Sequence, residues 1–375
     1  MTDNEKIDYR ITLNETNILK AIAICAMLCH HLFFENPEYG TIAFKLALTG
    51  KVCVALFVFL SGYGMAVQYQ NNLIDNQVVQ GGKNVTLLKG LWVKLLFLVR
   101  RYVKFYMNYW AVFCLTVPIG VFVFGRTLAD AYGVESSIWS SLLSDILGLR
   151  VFESYNITWW VNRLFLALWL LFPFLYWSMK SKLVSVWMLI LLYYDPGSIL
   201  YPLKFVAPGL SAWLISFALG IFFAVNGSVL NTILNKINRY VVLAVFCVAA
   251  SAFLYMRNNY VLYCFLGIKG DPFIVVFLSL AVVSVCRLTH RKLAILAFVG
   301  KHSMNMYLMH TFVFCYFFHD FIYCFKYPIL IFTVLFLISL LLSIVVELFK
   351  TKVGFYLILD KAVKLLSFHQ QIKAR

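Results

Sequence analysis

Charge is what this sequence lacks most. Only 13% of its 375 residues are charged, and acids are the scarcer half, 16 Asp and Glu against 32 Lys and Arg. A soluble domain carries roughly 25% charged residues and cannot cover its surface with half as many, so most of this chain must be solvated by lipid. Period-two alternation is also missing: the hydrophobic 62% of the chain falls in continuous runs. That excludes a membrane barrel and leaves helices to satisfy the backbone inside a bilayer. The net charge of +16 would point to nucleic acid in a soluble protein. Here it follows from the bias of cytoplasmic loops toward Lys and Arg, and no nucleic-acid partner is expected.

Paired cysteine spacing is absent as well. The nine cysteines, among them Cys25, Cys29 and Cys264, are scattered through apolar runs and read as small core residues rather than disulfides. Cys25 and Cys29 lack a metal-type spacing to His30 and His31, so no metal is expected. No small-residue cleavage site follows the first apolar run, which should therefore remain as a membrane helix. Nor is there an internal repeat of the kind that marks many secondary transporters.

What is present is a series of ten apolar runs, near residues 17–35, 43–69, 103–125, 157–178, 183–194, 205–225, 240–256, 272–288, 303–319 and 328–349. The expected fold is all-α: a polytopic bundle of about ten transmembrane helices over residues 1–350, followed by a basic amphipathic tail over 351–375. With the N-terminus inside, the inner segments hold 23 basic and seven acidic residues and the outer segments nine of each. The asymmetry places both termini in the cytoplasm and calls for an even number of spans. The tail spaces Val353, Tyr356, Leu357, Val363 and Leu366 at helical intervals among lysines, the pattern of an interfacial helix.

Ionisable residues at membrane depth are costly, and the first run carries Lys20, His30 and His31. His31 lies eleven positions after Lys20, which puts them on one helix face about 16 Å apart. His30 points elsewhere. Arg101 and Lys104, three apart, share a face, with Arg100 beside them. Ser303, Tyr307 and His310 form another stripe, suited to an acceptor path or to a hydrogen-bonded helix contact. Ser61 lies in no nucleophile-elbow pattern, and Ser61-Gly62 reads as a site of close helix packing. Trp159, Trp160 and Arg163 sit where an interfacial aromatic belt is expected, and such faces also stack on sugars.

Several stretches together resemble the acyltransferase 3 family, integral-membrane O-acyltransferases of bacterial surface polysaccharides. Lys20, ten residues, then His31 is similar to that family's basic-x10-His signature. ALFVFLSGYGMA, with Ser61, Gly62 and Tyr63, resembles its second-helix SG-(F/Y) stretch, and RRYVKFYMNYW its R-x-x-R element, at Arg101 and Lys104. ITWWVNRLFLALWLLFPFL, through Trp160 and Pro173, resembles its W-(F/W)…P segment. GKHSMNMYLMH, through Gly300, Ser303, Tyr307 and His310, resembles its G-x-x-S-x-x-x-Y-x-x-H, and IVVELFK its closing acidic position, at Glu347. Lysine replaces the commoner arginine at positions 20 and 104, keeping the charge and losing the bidentate fork.

The resemblance implies a multi-pass enzyme of a bacterial cell membrane. It would transfer an acyl group, expected to be acetyl, from acetyl-CoA or another acyl-CoA in the cytoplasm to a hydroxyl of a cell-surface polysaccharide or its lipid-linked precursor. On that reading His31 and Lys20 are catalytic, with His31 either general base or transient acyl carrier. Arg101, Lys104 and Arg100 bind donor phosphates. Tyr307, His310, Ser303, Trp160 and Tyr63 contact substrate. Beyond the bilayer, partners would be a glycan or glycolipid acceptor, a second copy of the chain, or glycan-assembly proteins. Two other functions fit the same residues: a transporter or flippase for a glycan or anionic substrate, using Lys20, His31 and His310 as a path, and a catalytically silent scaffold.

Overall fold

The computed structural model describes residues 6–79, 87–133, 137–150, 154–194, 210–259 and 267–372. Residues 205–209 of the sixth run, Cys264, the outer charges Glu135, Glu153, Asp195 and Lys204, and the last three residues of the tail lie outside them. Among the described residues the regular structure is entirely helical.

Each of the ten apolar runs carries a helix, but the boundaries shift where polar residues continue a helix or packing breaks one. The first is α1 (Leu13–Phe33), started by a capping box in which Thr12 and Glu15 satisfy each other's backbone N–H groups. The second run is split at Lys51 and Val52 into α2 (Thr41–Gly50) and α3 (Cys53–Val79). The third, α4 (Leu87–Phe122), begins well before its apolar core, because Lys94, Arg100, Arg101 and Lys104 are good helix formers that carry the helix past it. Two short helices follow, α5 (Leu128–Tyr132) and α6 (Ile138–Ile146).

Next come α7 (Trp160–Ser178), α8 (Lys182–Tyr194), α9 (Leu210–Val225) and α10 (Gly227–Leu234), then α11 (Arg239–Asn258) and α12 (Asp271–Thr289). The ninth run is offset: α13 (Ala294–Thr311) starts earlier, taking in Lys301 and His302, and passes into a π-helical turn over Phe312–Phe317. The short α14 (His319–Tyr323), then α15 (Pro328–Lys352) and the tail helix α16 (Phe355–Ile372), complete the chain. Seven helices among the described residues are long and apolar enough to cross a membrane. A pair bent by 75° at Asn226, the end of α9 with α10, would make an eighth.

Helix α1 lies at the centre, with Leu19, Ala21, Ala23, Ile24 and Leu28 wholly buried, and packs on α13, α2 and α3. Its contact with α13 is backbone-close: a Cβ on Gly300 would sit 1.8 Å from the Asn17 carbonyl oxygen. Gly62 of α3 likewise faces the Phe217 carbonyl of α9, where a Cβ would approach to 2.3 Å. Small residues let membrane helices approach to this distance, and Gly62 does so here.

At the end where α1 begins, the chain before it is pinned by side-chain amides. Asn235 accepts from the Ile7 N–H (2.8 Å) and Asn231 from the Tyr9 N–H (2.9 Å), while Asn14 donates to the Lys292 carbonyl (2.9 Å). The opposite end is closed by a cluster of Tyr109, Tyr132, Tyr155, Trp159 and Phe312 and by Tyr323, whose hydroxyl donates to the Leu32 carbonyl (3.0 Å).

Candidate functional site

A cavity of about 370 Å3 enters the bundle between α1, α3, α4, α7 and α13. Its lining on α1 begins at Leu13, which is 77% exposed, and ends at Met27, about 21 Å further along the axis. The cavity therefore opens at the end where α1 starts and reaches most of the way through the bundle. Val54, Phe57, Leu60, Phe105, Phe165 and Met304 make its wall largely apolar.

Lys20 and Arg101 stand in this wall, and among the described residues no acidic side chain lines it. Their charges are close enough to act on one another. The Arg101 guanidinium lies 5.0 Å from the centre of the Trp169 ring, a cation–π contact that holds the cation without neutralising it. Trp169 is fixed in turn by its Nε1–H, which donates to Ser61 Oγ (3.0 Å). Arg101 Nε has no hydrogen-bond partner among the described residues. Two positive charges at membrane depth, in the wall of an apolar cavity with no acid among its described lining residues, are an arrangement that favours an anion.

Arg100 and Lys104 are placed differently. Arg100 turns to the tail helix and donates to the Leu366 carbonyl (3.3 Å), and Lys104 is exposed; neither lines the cavity. The three-residue spacing puts Arg101 and Lys104 on one side of α4, but only Arg101 reaches the interior.

His31 lies one helical turn beyond Met27, past the deep end of the cavity lining. Its ring meets His310 of α13 at 5.1 Å between centroids and His30 at 5.3 Å. Two positions far apart in the chain thus form a histidine pair at the α1–α13 contact, backed by Phe314. His310 is completely buried. Its Nδ1 faces the Tyr307 carbonyl (2.8 Å), which can only accept, so the proton sits on Nδ1 and Nε2 is left as an acceptor 3.4 Å from the Thr311 hydroxyl. His30 likewise donates through Nδ1 to the Ala47 carbonyl (2.8 Å). The His31 ring forms no hydrogen bond with the described residues, which leaves its nitrogens available for chemistry.

Ser303 and Tyr307 line the cavity, and the Tyr307 hydroxyl donates to the Thr158 carbonyl at the start of α7. Tyr63 lines it near the mouth, where its hydroxyl accepts from the Ile11 N–H (2.9 Å). Trp160 packs on Trp213 at 5.4 Å and is outside the lining. Among the described residues, no three His, Cys, Asp or Glu side chains are placed to hold a metal ion.

Sequence reading did not anticipate two features. Asn162 lines the cavity from α7; a lone amide in an apolar run was the available signal. The other is a buried cluster in which Lys350 donates to Asn108 (3.1 Å), Asn305 (3.1 Å) and Glu347 (3.0 Å), while Tyr356 of the tail helix donates to Glu347. It ties α4, α13, α15 and α16 together, giving Glu347 a structural setting.

The chain matches the family model described as acyltransferase domain over residues 13–348, nearly its whole length. No curated protein and no solved structure matches it. The chain belongs to this family of membrane acyltransferases.

Proposed function

We propose that this member of the acyltransferase family is an O-acyltransferase of a bacterial cell membrane. It moves an acyl group, acetyl in the simplest case, from cytoplasmic acyl-CoA to a hydroxyl of a cell-surface polysaccharide or its lipid-linked precursor. Both termini face the cytoplasm, so that the cavity mouth beside Leu13 opens to the donor. The observation that carries the reading is the cavity itself: an apolar channel with the unopposed cations Lys20 and Arg101 in its wall, leading toward the His31–His310 pair.

Each residue then has a chemical task. Lys20 and Arg101 attract and hold phosphate oxygens of the donor, Arg101 presented in a fixed direction by its stack on Trp169. The apolar wall accepts the arm that carries the thioester and keeps water from it. His31 removes the proton from the acceptor hydroxyl as that oxygen attacks the thioester carbonyl, and the thiolate leaves as CoA and takes up a proton. His310, held by the Tyr307 carbonyl, keeps the neighbouring ring in place.

The test uses the full chain in detergent or nanodiscs with radiolabelled acetyl-CoA and a glycan acceptor. Wild type should consume thioester and label the acceptor, and His31→Ala should lower the rate by about 10²- to 10⁴-fold with donor binding retained. Flux of a glycan or anion across sealed vesicles without thioester consumption would replace the enzyme with a transporter.

A further inference from the structure

Resting on the donor reading above, we infer that Asn162 recognises the amide-bearing arm of the acyl donor inside the cavity. Asn162 is 1% exposed and lines the cavity wall, yet neither its Nδ2 nor its Oδ1 has a hydrogen-bond partner among the described residues. Two other buried asparagines, Asn156 and Asn305, are satisfied. Asn156 accepts from the Thr158 hydroxyl (2.7 Å) and donates to the Leu308 carbonyl (3.3 Å). Asn305 donates to Glu347 (2.6 Å) and accepts from Lys350 (3.1 Å). Buried amides nearly always find partners, and a cavity wall that holds one with both groups unpaired can offer a ligand a donor and an acceptor.

Position and surroundings identify the ligand chemistry. Asn162 lies seven residues before Trp169, the ring on which Arg101 stacks, so it is about 10 Å deeper along α7 than the cation site. The arm of a CoA thioester carries two secondary amides between its phosphates and its sulfur, the second nine bonds from the nearer phosphorus. An extended chain advances about 1.2 Å per bond, which brings that amide to about 11 Å, level with Asn162. An amide entering an apolar channel must exchange its water for protein partners. Asn162 supplies both a donor for the carbonyl and an acceptor for the N–H. Val161, Phe165, Phe105 and Met304 line the same cavity. A largely apolar wall with few, separated polar side chains matches a thin chain with isolated polar groups better than a sugar ring, whose hydroxyls need partners on every side.

The inference is tested by calorimetric titration of the purified full chain with CoA, and with adenosine 3′,5′-bisphosphate, which lacks the arm. Asn162→Leu should weaken CoA binding roughly tenfold or more and leave the arm-less ligand unchanged. The melting temperature of the ligand-free variant should be equal or higher, since an unpaired buried amide has been replaced by an apolar group of similar size. Asn162→Ser, smaller and still polar, gives the same comparison if the leucine variant does not fold. CoA affinity within twofold of wild type overturns the inference, as does equal weakening of both ligands. So does a variant that keeps CoA affinity and loses only affinity for the glycan acceptor. A wild-type protein that binds neither ligand would instead sink the donor reading, and the inference with it.

Discussion

The cavity and the far end of the bundle handle buried polar groups in opposite ways. At the far end the buried acids Asp271 and Asp145 are both matched. Arg257 and Asp271, both at most 2% exposed, are joined at 2.6 Å, and Arg257 also donates to the Leu48 carbonyl (2.6 Å). Asp145 accepts from the Tyr132 hydroxyl (3.0 Å) and the Tyr155 N–H (2.7 Å). Along the cavity, Lys20, Arg101 and Asn162 line the same space, with no acid among its described lining residues. Matched groups hold helices together; unmatched ones are tolerated at a stability cost where a ligand completes them. Substitutions in the two regions should therefore have opposite signatures, stability without binding in one and binding without stability in the other.

The largest effect is expected at the Arg257–Asp271 pair. Arg257→Leu leaves a carboxylate buried and unpaired beside α2 and should destabilise the protein by about 3–5 kcal/mol, read as a fall in melting temperature. Adding Asp271→Leu should recover much of that loss, because the uncompensated charge goes with it. A single variant as stable as wild type would mean that this end is not held by matched charge.

Asp145 allows a gentler test. Burial pushes its carboxyl up to about 6, against the ordinary 3.8, although the Tyr155 N–H and the Tyr132 hydroxyl favour the ionised form. A raised carboxyl binds a proton more tightly in the folded state than in the unfolded. Stability from this group is thus full below about pH 4, declines as pH rises toward 6, and is level above it. The decline amounts to at most about 3 kcal/mol for two pKa units. Asp145→Asn keeps an acceptor for the same two donors and should flatten the profile, so the melting temperatures of the two proteins should diverge between pH 4 and 6.5. Parallel profiles would remove Asp145 as the titrating group.

How far this contrast was legible in the sequence depends on whether a feature lies within one helix or between several. Ten apolar runs, the Lys20–His31 spacing and the Ser303–Tyr307–His310 stripe are properties of single segments, and periodicity displays them. The break at Lys51, the early start of α4 and the offset of α13 are set by packing and by polar residues that a helix carries without difficulty, so hydropathy alone misplaces them. The meeting of His31 with His310, the seat of Arg101 on Trp169 and the unpaired Asn162 are contacts between helices distant in sequence, which no local pattern encodes.

Arg101 and Lys104 make the same point at the smallest scale, since spacing groups them and the fold separates them. Arg101→Met removes a cation from the cavity wall and should weaken CoA binding by about 10- to 100-fold, the range for a hydrogen bond to a charged group. The melting temperature should not fall, because a desolvated charge has gone. Lys104 is exposed, so its charge is screened by water and salt. Lys104→Gln should therefore change CoA affinity by no more than about twofold, and that change should vanish as ionic strength rises. Calorimetric titrations of the two variants at low and high salt separate these outcomes. Equal losses at both positions would mean that the donor is held at the membrane surface by the basic face of α4 as a whole. A loss confined to Arg101 would locate the phosphates inside the mouth, at the depth from which the arm reaches Asn162.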